Sequence, residues 1–357
     1  MTTNIINQPI QITIRRFAFL DALRGAALLC MVVDHAYDWW LTEADNLGTW
    51  GRTTEFIGTL AAPTFLALVG VSMTLASAKR ASQHISTRQA FWFLVRRGGM
   101  VFLWGFLTNF LVFFNGNNWQ DVFAFDVLQC IGLGMIICAP LVLWGADWVL
   151  ALITIGALWI GQNGGAISLS GYMGTMLNGN PPIAYFPLLP WLFFIPVGIL
   201  WGRRLLDWQD QPARLNRMSL LMLPTGLGLA VAAALIPLDW GYRYPFTAHI
   251  FFNLAIIAWG SAILYFLSSI DWGLKSSDWL RALGKETLFL YILHHLIGYR
   301  LFYSFGAVTG HTWQGHYGIF SVGTATAMLL ALMVLLYVST RLWIMAKVEY
   351  PQLGDWL

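Results

Sequence analysis

Residues 16–40 read RFAFLDALRGAALLCMVVDHAYDWW. The stretch is apolar and long enough to cross a bilayer core, which takes about 20 helical residues. It nonetheless carries Asp21, Arg24, Asp34, His35 and Asp38. Ionisable side chains are costly inside a bilayer, so they face protein or water and often mark function.

Nine further apolar runs follow, near residues 55–78, 91–114, 122–144, 147–161, 185–205, 218–238, 247–268, 279–303 and 317–345. The run at 147–161 is short for a spanning helix. The chain is 58% hydrophobic and 10% charged, against roughly 25% charged in soluble domains. Its 19 Trp, 24 Phe and 12 Tyr suit membrane interfaces, where aromatic rings settle at the headgroups. Backbone polar groups in lipid must be satisfied within the segment, so the expected fold is an all-α polytopic bundle of about ten transmembrane helices.

Residues 1–357 read as one transmembrane domain, with 1–16 as a cytoplasmic tail and the first run as an uncleaved anchor. With the N-terminus inside and the helices alternating, 17 of the 20 Lys and Arg fall on the inner side. Only Arg52, Arg243 and Arg300 fall outside. This bias predicts both termini in the cytoplasm. It also explains the net charge of +3 without a nucleic-acid partner. Cys30, Cys130 and Cys138 lie in apolar runs, which reads as packing rather than disulfide or metal chemistry.

Arg24 and His35 are eleven residues apart, nearly three full turns, so they share one helix face about 16 Å apart. Asp21 precedes Arg24 by three residues, the spacing of an ion pair along a helix. Asp34 or Asp38 beside His35 would orient the ring and raise its basicity. In the ninth run, LGKETLFLYILHHLIGYR, His294 and His295 reach a depth comparable with His35. Adjacent helical positions diverge by about 100°, so one of the two is expected to reach the same cavity. Six of the seven histidines, all but His84, fall in the outer half or outer loops, including His249, His311 and His316. No short histidine spacing joins a carboxylate in a ligand pattern, so no metal is expected.

Asp126 and Gln129 sit one turn apart, placed either to bond a substrate or to hold helices together. Arg96 and Arg97 begin the third run, as inner-face anchors or as phosphate-binding residues. The outer segment 162–184 is rich in Gly, Asn and Pro, and reads equally as a lid or a connector.

The stretch 16–40, with Asp21, Arg24, Gly25, Met31, Asp34 and His35, resembles the first helix of the heparan-α-glucosaminide N-acetyltransferase-like family. Arg24, ten intervening residues and His35 are similar to the Arg–His signature of the broader acyltransferase-3 family. Further matching pieces are LAAPTFLALVGVS (Pro63, Phe65, Gly70), RRGG (Arg97, Gly98), DVLQCIG (Gln129, Gly132), PLLPWLFFIPVGILWG (Pro190, Trp191, Gly198) and TLFLYILHH (Tyr291, His294). They occur in order over nearly the whole chain. One departure is visible: the animal enzymes have asparagine at the position of His35 and a histidine in the next outer segment, which here, LTEADNLGTW, has none.

The resemblance implies acyl transfer across a membrane, from cytoplasmic acetyl-CoA as co-substrate to an amine or hydroxyl of a glycan or cell-envelope acceptor. Arg24, Arg96 and Arg97 would hold the donor phosphates. His35, polarised by Asp34 or Asp38, would act as base, with His294 or Gln129 donating to the oxyanion. Asp126, Gln129, Tyr291 and His295 are the expected acceptor-binding residues. The expected setting is a bacterial inner membrane, in contact with lipid and as a possible homodimer. Buried Asp and His also build proton relays, so a proton-coupled transporter is the competing reading. A non-catalytic membrane protein is the third, and leaves the charges of the first helix unexplained.

Overall fold

The computed structural model describes residues 14–162, 171–179, 183–236, 247–270, 273, 275, 277–304 and 318–352. Arg243, His311 and His316 lie outside the described residues, as does part of the 162–184 segment. Among the described residues the regular elements are helices, and the extended pairings are two isolated bridges, Leu41 with Phe320 and Phe125 with Ala184.

The helices are α1 (Ala18–Trp40), α2 (Glu43–Asn46), α3 (Thr49–Gly58), α4 (Ala61–Ser82), α5 (Thr87–Phe113), α6 (Trp119–Val122), α7 (Val127–Trp144) and α8 (Asp147–Gln162). Then follow α9 (Gly171–Asn178), α10 (Leu188–Trp191), α11 (Phe194–Trp208), α12 (Pro212–Leu235) and α13 (Thr247–Ser268). The chain closes with α14 (Asp278–Lys285), α15 (Thr287–His295), a π-helical segment (Leu296–Leu301) and α16 (Val322–Glu349).

Among the described residues, seven helices are long and apolar enough to cross a membrane: Thr49–Ser82, Thr87–Phe113, Val127–Trp144, Leu188–Trp208, Pro212–Leu235, Ala248–Ser268 and Val322–Glu349. By that measure α1 carries too many charges, α8 is 16 residues long, and α15 gives way to the π-helical segment. Each of these three nonetheless coincides with an apolar run of the sequence.

Local chemistry starts and stops the helices. Ser86 and Gln89 form a reciprocal capping box at the start of α5, and Asp126 and Gln129 do the same for α7. Pro212 opens α12, where its missing N–H costs nothing. After α1 the chain turns extended, and Phe320 N–H donates to the Trp40 carbonyl at 2.9 Å.

Helix α1 is the hub of the bundle. It packs against α3, α4, α13, α14, α15 and α16, and Leu28, Val32, Ala36 and Trp40 are almost fully buried. The periphery is the reverse. Trp148, Leu152, Ile155 and Trp159 form one exposed stripe on α8, and Leu330, Val334, Leu342 and Met345 are exposed on α16. Such stripes would drive a soluble protein to associate; lipid is their natural cover.

Without a hydrophobic drive between helices in lipid, close packing of small residues holds a bundle together. A Cβ on Gly98 would lie 2.8 Å from the Gly132 carbonyl oxygen, and one on Gly132 would lie 2.5 Å from Phe102 N. This pair sets the α5–α7 crossing. Gly25 and Gly284 do the same for α1 and α14, where a Cβ on Gly284 would sit 1.8 Å from the Asp21 carbonyl. The neighbouring Gly99 has nothing among the described residues within 4 Å of its Cβ position. Gly98→Ala should therefore destabilise by about 1–3 kcal/mol through overpacking. Gly99→Ala should stabilise by roughly 0.5–1 kcal/mol through helix propensity. Thermal unfolding in one detergent checks the opposite signs.

Candidate functional site

Arg24 and His35 line one cavity of about 1980 Å³. Small-ligand sites typically enclose roughly 300–1,000 Å³, so there is room for two substrates. Helices α3 and α4 run beside α1 and set the two ends. At one end Arg24 Nη2 donates to Ser72 Oγ at 2.8 Å. At the other, Gly58 lies against Asp34, where a Cβ would be 2.2 Å from the carboxyl carbon. Helices α5, α7, α10, α13 and α15 and the π-helical segment supply most of the remaining walls.

The Arg24 end is cationic. Arg24, Arg97 and Lys285 face the cavity there with Ser72 and Glu286. Arg24 Nη1 also donates to Asp21 Oδ1 at 3.4 Å and to the Gly284 carbonyl at 3.3 Å. Arg16 Nε reaches the other Asp21 oxygen at 2.9 Å. The Asp21–Arg24 pair expected from spacing therefore forms, and the guanidinium still borders the cavity. Glu286 is only 8% exposed and is neutralised by Lys347 Nζ at 2.6 Å. Arg96 is exposed and is not part of the cavity wall.

The opposite end combines imidazoles and carboxylates. Asp34, His35, Asp38, Glu55 and His295 face the cavity there. The ring partner of His35 is His294, with Nδ1 3.0 Å from His294 Nε2, rather than the Asp34 or Asp38 carboxylate expected from sequence. Asp38 instead takes Asn46 Nδ2 at its carbonyl, 3.2 Å, and at Oδ1, 3.5 Å. His294 and His295 each place Nδ1 on the carbonyl one turn back, Leu290 at 3.0 Å and Tyr291 at 2.8 Å. Both rings meet His35, with centroids 5.3 and 5.0 Å away. Of the two, His295 lines the cavity, while His294 packs against His35 behind it.

The π-helical segment begins directly after His295, and such segments recur at functional sites. Trp40 Nε1 donates to its Gly298 carbonyl at 2.8 Å. A Cβ on Gly298 would strike Trp39 at 2.8 Å, and the Trp39 ring lies tilted against His35 with centroids 5.1 Å apart. The segment thus seats the aromatic floor beneath the histidines.

Neutral imidazole has one donor and one acceptor nitrogen, so the tautomers follow from the bonds. His294 donates Nδ1–H to Leu290, so its Nε2 must accept. His35 then donates Nδ1–H to it, which leaves the lone pair of His35 on Nε2. That nitrogen is the free base of the pair.

Asp126 and Tyr291 line the cavity. Gln129 does not: it is fully buried, its Oε1 accepts Asp126 N–H at 3.2 Å and its Nε2 donates to the Ala124 carbonyl at 3.2 Å. It is a helix cap set behind the cavity wall, out of reach of an oxyanion. His294 has spent its proton on Leu290. The sequence reading gave no site role to several cavity residues, Glu55, Trp191 and Asn253 among them. Among the described residues, Trp191 Nε1 and Asn253 Oδ1 are buried without a hydrogen-bond partner, and both residues face the cavity. Asn253, a lone amide in a long apolar run, was a readable signal.

Residues 16–225 match a family model described as heparan-alpha-glucosaminide N-acetyltransferase, catalytic. A comparison with curated proteins gave no match. The matched region holds Arg24, His35, Arg97 and Trp191, while His294 and His295 lie beyond it. With well over half of its length matched, and its helices built for a bilayer, the chain belongs to the heparan-alpha-glucosaminide N-acetyltransferase family of multi-pass membrane acetyltransferases.

Proposed function

We propose that the protein moves an acetyl or other short acyl group from cytoplasmic acyl-CoA to an amine or hydroxyl of a glycan or cell-envelope acceptor. The observation that carries this reading is the shared cavity, with cations at the Arg24 end and a free imidazole lone pair at the His35 end. The two are about 16 Å apart along α1, close to the reach of an extended pantetheine arm. Phosphates held by Arg24 and Arg97 would leave the thioester beside His35.

In the proposed step, His35 Nε2 takes a proton from the acceptor as its nitrogen or oxygen attacks the thioester carbonyl. The new C–N or C–O bond forms, the C–S bond breaks, and the departing thiolate recovers the proton from the imidazolium. Asp34, Asp38 and Glu55 favour that transient cation. Holding both substrates in one cavity supplies the proximity advantage. The unpartnered Trp191 indole N–H is the donor we assign to the substrate oxygen.

This reading places ten helices across a bacterial inner membrane with both termini inside. Its support is the sorting of basic residues. Arg203 and Arg204 join Asp147 at 2.6 and 2.9 Å beside the 145–147 turn, and Arg300 joins the Phe114 carbonyl at 2.9 Å on the expected opposite side. Inverted membrane vesicles given radiolabelled acetyl-CoA should transfer label to an envelope component. Label that stays in CoA and free acetate, at the rate of vesicles lacking the protein, contradicts the reading.

His294 acts in this scheme by fixing the tautomer of His35. His294→Leu should lower kcat about tenfold, the worth of one orienting hydrogen bond. His294→Gln keeps an acceptor for His35 Nδ1–H and should recover much of the loss. Equal losses in the two variants would count against a positioning role.

A further inference from the structure

Three imidazoles from two distant parts of the chain meet at the His35 end. His35, His294 and His295 each offer one ring nitrogen, and these atoms all lie within 4.8 Å of one another. His35 and His294 are 259 positions apart, so no sequence spacing announces the group.

Two features go beyond proximity. Metal-binding histidines usually donate their second ring N–H to a carbonyl or carboxylate, which fixes the tautomer. His294 and His295 both do so, through Leu290 and Tyr291, and each is left with its Nε2 lone pair. The site also has an open side, because His35 and His295 face the cavity, where water or a substrate group would complete a tetrahedron. Aromatic rings close the remaining sides: Trp39 lies 5.1 Å from His35, Tyr291 4.6 Å from His295 and Phe113 6.0 Å from His295.

We propose that His35, His294 and His295 bind a divalent ion of the Zn²⁺ class and that the bound ion silences the transferase. Zinc–nitrogen bonds of about 2.0–2.1 Å place tetrahedral nitrogens roughly 3.3 Å apart. His35 Nδ1 and His294 Nε2 stand at 3.0 Å, so small side-chain rotations bring the set together. Imidazole suits zinc, and three such ligands with one open position favour it.

The proton balance gives the consequence. His294 and His295 bind through Nε2 and keep their Nδ1 protons. His35 must offer Nδ1, so its proton moves to Nε2. No proton leaves the protein, but the one nitrogen able to accept a proton from the acceptor is now occupied. The loss of turnover rests on the reading of His35 as base; the metal site itself does not.

The test uses the full chain in detergent, stripped with a chelator and titrated with Co²⁺ and Zn²⁺. The expected results are about one Zn²⁺ per chain and the intense visible bands of tetrahedral Co²⁺, erased by added Zn²⁺. His295→Gln and His294→Gln, each checked for monodispersity, should weaken Co²⁺ binding by roughly tenfold or more. Absence of the bands, or unchanged affinity in both variants, overturns the site. Transfer should fall over the same Zn²⁺ range that fills the site and return with chelator. Full loading with unchanged or raised turnover overturns the silencing. Should His35→Ala transfer normally, the base assignment fails while the cobalt titration still decides the site.

Discussion

His35→Ala should lower kcat by about 10²–10⁴-fold, the usual contribution of a positioned general base. Its KM for acyl-CoA should change little, because the phosphates bind about 16 Å away at the other end of the helix. This pattern identifies a group that acts mainly in the transition state. The imidazole itself sits among His294, His295 and Trp39, so the variant leaves a small cavity and should remain folded. Steady-state kinetics, beside a thermal unfolding curve for each protein, separates loss of chemistry from loss of structure. Near-normal kcat would remove His35 from the mechanism.

Arg24→Leu should do the opposite. We expect KM for acyl-CoA to rise roughly 10–100-fold with kcat nearly unchanged, since a charge-assisted hydrogen bond is worth about 1.5–3 kcal/mol. A stability cost accompanies it. Asp21 is 6% exposed and would lose one of its two arginines, though Arg16 still holds it at 2.9 Å. The cost should be about 1–3 kcal/mol. Arg24→Lys keeps the charge but cannot span Ser72, Asp21 and Gly284 with one planar fork. It should fall between the wild type and Arg24→Leu in KM. A fall in kcat with unchanged KM would show that Arg24 does not bind the donor.

Much of this arrangement is legible in the first helix. The apolar length of residues 16–40, the eleven-residue interval and the rule that charge in lipid faces protein lead directly to the Arg24–His35 stripe. The glycines of the resembling segments have a plain structural reason. Gly70 and Gly198 meet across α4 and α11, and Gly98 and Gly132 across α5 and α7, at distances that admit no side chain.

What was not legible is how distant helices divide their polar groups. Gln129 reads as a substrate ligand in isolation, yet Asp126-x-x-Gln129 is also a capping-box pattern, and that use consumed it. Arg96 and Arg97 are indistinguishable by type; the angle of α5 puts only the second in the cavity wall. The pairing of His35 with His294 depends on how α1 crosses α15, which no periodicity encodes. Asp34 and Asp38 lie closer to His35 along the chain, but the helix crossing gives the ring to His294.

The account rests on one channel that joins the cationic end to the imidazole end. Its most direct test is the structure of the protein bound to a non-hydrolysable acetyl-CoA analogue. The expected result is a ligand whose phosphates contact Arg24 and Arg97, with the acyl carbonyl within hydrogen-bonding reach of the His35 end. A ligand bound outside the bundle, or one whose acyl group points away from His35, would contradict it.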